Sequence, residues 1–79
     1  MNEQRAAARR RMFKAVTIEF GGGGIKCVVK NMSNTGAGLE VVTPLFIPDR
    51  FTLLIPSAQF GRSCRVVWKG EKRIGVAFD

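Results

Sequence analysis

Histidine and tyrosine are absent from this 79-residue chain, and it holds only six acids, two cysteines and three prolines. Each shortage excludes something. Without histidine, and with so few carboxylates, a metal centre or His-based acid–base catalysis has almost no material to work with. No nucleophile–base pair or carboxylate pair can be assembled either, so the chain reads as a non-enzyme. No apolar run approaches the roughly 20 residues that cross a bilayer, and no membrane span is expected. The basic N-terminus has no apolar stretch behind it, so it is not a secretory signal, and a cytoplasmic location is expected. Cys27 and Cys64 each sit inside an apolar run. They read as buried free thiols of a reducing compartment.

What is present points to one small basic domain. A chain this short buries only roughly 60% of its unfolded surface, enough for a single modest core. The hydrophobic fraction of 46% is ordinary for a globular protein. The net charge of +7 is large for this size. It is also uneven: residues 1 to 14 hold Arg5, Arg9, Arg10, Arg11 and Lys14 against Glu3 alone. That excess calls for a polyanion such as nucleic acid, a nucleotide or an acidic membrane face.

From Lys14 onward the hydrophobic period is two, the signature of strands with one apolar face. Val16, Ile18 and Phe20 alternate with Ala15, Thr17 and Glu19, and Ile25, Cys27 and Val29 with Lys26, Val28 and Lys30. Ala37, Leu39 and Val41 form a third set, then Phe51, Leu53 and Ile55, then Cys64, Val66 and Trp68, and last Ile74, Val76 and Phe78. The expectation is all-β: a six-stranded antiparallel barrel over residues 14–79, meander-like, without a C-terminal helix, preceded by a flexible arginine-rich arm over 1–13. Closure suits six strands in so short a chain because it removes unprotected edges. Glycines 21 to 24 make a hairpin connection, and TPLFIPD, with two prolines, is a loop. Alternation puts Trp68 in the core, with a stacking platform for a base as its alternative role, and puts Arg65 and Lys69 on one outer face. Phe46 and Ile47 either contact a partner or lid the barrel end.

Two stretches carry chemistry. Arg5 and Arg9 bracket three alanines in RAAAR. Two guanidinium groups at that spacing on a pliable segment can converge on one anion, donating paired bonds to phosphate or to the O6 and N7 edge of guanine. Arg10 and Arg11 follow as secondary candidates for phosphate contact or steering. The second stretch, NMSNTG at 31–36, holds Asn31, Ser33 and Gly36. Asn offers a donor and an acceptor to a base edge, Ser reaches a base or a phosphate, and Gly admits close backbone approach. Taken alone, the same letters are ordinary turn chemistry.

Together, an arginine pair before the first strand and N-x-S-x-x-G between the second and third resemble the PilZ family. FTLLIP, CRVVWK and IGVAFD extend the likeness along the chain. The resemblance implies a six-stranded barrel that binds cyclic di-GMP without a cofactor. Arg5 and Arg9 would hold guanine and phosphate, Asn31 and Ser33 would contact base edges, and Gly36 would shape the turn. Ordering of the arm would signal to a downstream protein partner. Two departures stand out: Ala8 occupies the place where family arms often carry proline, and no C-terminal helix follows Asp79. The alternatives are a small basic barrel that binds nucleic acid, or a PilZ-like adaptor that does not bind the dinucleotide.

Overall fold

The computed structural model describes residues 10–79. Its strands are β1 (Arg10–Phe20), β2 (Gly23–Met32), β3 (Gly36–Glu40), β4 (Arg50–Ile55), β5 (Phe60–Lys69) and β6 (Arg73–Phe78). They close into an antiparallel barrel in the order β1-β2-β3-β6-β5-β4. Among the described residues the one helical piece is a single 3-10 turn, Pro56–Ala58, which ends at Gln59 in the left-handed region (φ 51°).

The six-stranded barrel agrees with the sequence reading, but a simple meander does not. β1-β2-β3 and β4-β5-β6 are two sequential three-stranded halves, joined at two seams. The longer seam pairs β3 with β6, from Gly36↔Ala77 to Glu40↔Arg73. The shorter pairs Thr17, Ile18 and Glu19 of β1 with Leu54, Leu53 and Thr52 of β4. The loop at 41–49 therefore crosses one end of the barrel, from β3 over to β4. Val41 N–H donates to the Lys72 carbonyl at 2.9 Å, and Lys69 Nζ donates to the Ile47 carbonyl at 2.9 Å. Within the loop, Val41 and Ile47 turn inward and are buried.

The core is the inward set of the alternating pattern. Ile18, Val29, Leu39, Leu53, Cys64 and Ile74 are fully buried, and no polar or charged side chain is buried among the described residues. The β1–β2 turn uses Gly21 (φ 56°) and Gly22 (φ 81°), a pair of positive φ angles that fits the twist of a two-residue hairpin and that β-carbons resist. Gly23 and Gly24 already belong to β2.

Strand limits differ from the alternation where the alternation breaks. β1 starts at Arg10 rather than Lys14, because Arg10↔Met32 and Arg11↔Asn31 pair before a register shift that precedes Lys14. β5 starts at Phe60, which pairs with Ile55 ahead of the apolar run. Val42 falls outside β3 and is exposed.

Cys27 and Cys64 are free and buried, and burial pushes both thiols up to about 11. Because the folded value lies above the ordinary 9.0, burial favours folding fully at lower pH and ceases to do so as pH climbs through the raised value. Chemical unfolding should thus give a stability that this pair leaves flat below about pH 9 and lowers toward pH 11. At pH 8 a soluble aromatic disulfide reagent should label both thiols only as fast as the barrel opens.

Candidate functional site

The six-residue link at 31–36 proves to be a three-residue turn. Asn31 and Met32 end β2 and Gly36 begins β3, leaving Ser33, Asn34 and Thr35 between them. Ser33 closes the turn twice: its N–H donates to the Gly36 carbonyl at 2.8 Å, and its hydroxyl accepts from Thr35 N–H at 3.2 Å. Ser33 Oγ also lies 3.2 Å from Thr35 Oγ1. The turn is tied to β6 because Phe78 N–H donates to the Thr35 carbonyl at 2.8 Å.

Gly36 is buried, and the reason it must be glycine is steric rather than torsional. A β-carbon there would lie inside van der Waals contact with the Val76 carbonyl oxygen. Its φ is not positive.

Asn31 is half-buried on the outer face, and its amide lies over Gly38. A β-carbon on Gly38 would sit 3.0 Å from Asn31 Nδ2 and 3.1 Å from Oδ1. The neighbouring Lys30 is held by two contacts, with Nζ 4.4 Å from the Phe13 ring centroid and 3.4 Å from Glu40 Oε1.

Register then extends this pair into a row. Arg11 pairs with Asn31, Asn31 with Gly38, Gly38 with Gly75, and Gly75 with Trp68. The row crosses five strands on the outside of the barrel, since its members alternate with buried neighbours such as Leu39 and Ile74. Trp68 corrects the sequence expectation of a core residue. It is 50% exposed, and its indole covers Gly75 so closely that a β-carbon there would collide with the ring. The cause is a register shift between Val66 and Trp68, which inserts Val67 and reverses the facing of everything after it. The same shift separates Arg65, whose Nε faces Asp79 Oδ1 at 3.8 Å, from Lys69, which reaches the Ile47 carbonyl instead.

Bulges commonly re-aim side chains beside functional sites. Here register shifts fall between Arg11 and Lys14, between Val29 and Asn31, and between Val66 and Trp68. Each one borders a member of the row. Two adjacent glycines thus form a floor, with an amide over one and an indole over the other. Strands lie about 4.8 Å apart, so the hydrogen-bonding edge and the aromatic plane are near neighbours.

Arg5 and Arg9 lie outside the described residues, and of Arg10 only the backbone is described. Arg11 is exposed. Arg10 pairs with Met32, the residue just before the turn, so β1 begins at the end of the barrel where the turn sits. A cavity of about 320 Å³ lies elsewhere, between β1, β4 and β5, lined by residues including Glu19, Arg50, Thr52, Ser63 and Asp79. It holds none of the motif residues.

Gly36→Ala should lower stability by about 2 kcal/mol, because a β-carbon must force β3 away from the Val76 carbonyl. Thermal unfolding by circular dichroism measures it, and a melting point equal to wild type would refute the steric account.

Comparison with known proteins adds two findings. The family model described as PilZ domain matches residues 3–79. No curated protein matches the chain.

Proposed function

Because the chain belongs to the PilZ domain family, a family of the cyclic di-GMP-binding type whose domains are generally non-enzymatic binding modules, we propose that it is a receptor for this dinucleotide. In this reading Arg5 and Arg9 grip phosphate and guanine, with Arg10 and Arg11 as secondary contacts. Asn31 and Ser33 meet the base edges, and Gly36 keeps the turn close against β6. Ligand binding orders the segment before β1 against the barrel, and the newly formed surface signals to a partner protein.

One observation supports the reading above the others. Arg10 is in register with Met32, so the chain bearing Arg5 and Arg9 enters β1 beside the turn that carries Ser33. Guanidinium groups and polar turn can then reach one small molecule. The ligand's own chemistry fits the outer row as well. It has two phosphates, which guanidinium forks bind in bidentate fashion. It also has two guanines, which need both an edge to bond and a plane to stack on. Asn31 supplies the first and Trp68 the second, so Trp68 joins the candidate residues as a stacking surface. The Ser33 hydroxyl already bonds within its turn, so its contact with a ligand exchanges one hydrogen bond for another.

Titration calorimetry with cyclic di-GMP at low salt tests the proposal, and no heat at micromolar protein rejects it. Arg5→Ala and Arg9→Ala should each weaken binding by about 2 kcal/mol, the scale of a lost charge-assisted hydrogen-bond pair. Trp68→Ala should cost about 1–3 kcal/mol if a base stacks there. Trp68 is the sole tryptophan, so its fluorescence reports the same event in the wild type. The salt dependence separates this ligand from nucleic acid: a dinucleotide with two phosphates gives a shallow slope against log salt, an oligonucleotide a steep one.

A further inference from the structure

The pole opposite the turn has a surface that ligand binding does not use. β3 joins the two poles: the turn at 33–35 leaves one end and the loop at 41–49 leaves the other. That loop is pegged down by buried Val41 and Ile47 and carries Val42, Leu45 and Phe46 outward, 83%, 79% and 75% exposed. Three large apolar side chains this open, on one nine-residue loop of a small domain, mark a docking surface rather than scattered surface hydrophobics.

The geometry points to an anionic lipid bilayer as the occupant, with Leu45 and Phe46 entering the headgroup interface. Three features favour a bilayer over a protein. First, the residues stand on a loop that crosses over the end of the barrel, between two inward pegs. Second, part of the tip's backbone is already satisfied. Leu45 N–H donates to Thr43 Oγ1 at 3.3 Å, Ile47 N–H donates to the Pro44 carbonyl at 3.2 Å, and the Ile47 carbonyl accepts from Lys69. Pro44 and Pro48 have no N–H to lose. These groups add no desolvation cost when the tip leaves water.

Third, cations surround the apolar tip. Lys69 Nζ donates to the Ile47 carbonyl. Lys72 is fixed beside the loop by its backbone carbonyl, which accepts from Val41 N–H, and Arg73 is in register with Glu40 at the end of β3. Among the described residues neither Lys72 nor Arg73 forms an ion pair. Asp49, Glu71 and Glu40 sit among them, but Glu40 is held by Lys30 at 3.4 Å, so Lys30, Lys69, Lys72 and Arg73 outnumber the three acids by one. A basic collar around an apolar tip is the arrangement that draws a protein to acidic lipid, while long Lys and Arg stems keep their charges at the headgroups. Because the turn lies at the other pole, a docked barrel keeps its candidate ligand site in water.

The test is flotation of the full chain with protein-free vesicles of phosphatidylcholine, alone or mixed with phosphatidylglycerol. The wild type should float with the mixed vesicles and much less with phosphatidylcholine alone. Leu45→Ser with Phe46→Ser should cut binding to the mixed vesicles about tenfold or more, with circular dichroism confirming an intact barrel. Lys72→Glu with Arg73→Glu should abolish the preference for phosphatidylglycerol. Failure of the wild type to float overturns the inference and leaves the surface to a protein partner. Undiminished binding to the mixed vesicles by either double variant also overturns it. Dinucleotide titration of the Leu45→Ser, Phe46→Ser variant should match the wild type, so this result and the receptor reading stand or fall separately.

Discussion

Closure of β3 on β6 is the constraint from which the rest of the molecule follows. Each half of the chain is a three-stranded sheet with one apolar face, and neither half alone covers that face. Pairing Gly36–Glu40 with Arg73–Ala77 brings the faces together over Leu39, Ile74 and Val76. The approach is so tight at one end that only glycine fits beside the Val76 carbonyl. The loop at 41–49 must then span the barrel end to deliver β4 to the far side of β1. Its exposed apolar residues result from that path, since a loop stretched between two inward pegs has its middle outside.

Register shifts do the second piece of organisation. A strict alternation through all six strands would have put Trp68 inside and left the outer surface of β2, β3, β6 and β5 without an aromatic. One extra residue in β5 turns the indole outward over Gly75. A comparable shift in β2 lets Lys30 and Asn31 both stand where one residue would have stood. The polar edge and the stacking plane are thus products of irregularity on a regular frame.

Much of this was legible in the sequence. Period two in the apolar residues identified Val16, Ile18, Cys27, Val29, Leu39, Leu53 and Ile74 as inward, and all are buried. The glycine run at 21–24 marked the first hairpin, although only Gly21 and Gly22 take positive φ and form its turn. What alternation could not reveal was its own interruption, which has no compositional signature: VVWK reads as an unbroken strand whether or not Val67 is a bulge. The order of strands was hidden for a related reason. Local pattern tells which residues face inward but not which strands meet, and the β3–β6 seam joins residues far apart in the chain. Of the candidate site, Asn31, Ser33 and Gly36 were visible as a motif. Gly38 and Gly75 were not, because a glycine within a strand signals a close neighbour without naming it.

The outer row draws Arg11, Asn31 and Gly38 from the first three-stranded half and Gly75 and Trp68 from the second. It therefore straddles the longer seam and exists only while the two halves are joined. Any excursion that parts β3 from β6 dissolves the floor and separates amide from indole in the same motion. By thermodynamic linkage, a molecule seated across that row acts as a staple. It would damp breathing of the barrel at its most sequence-distant junction and transmit its presence as rigidity rather than as displacement.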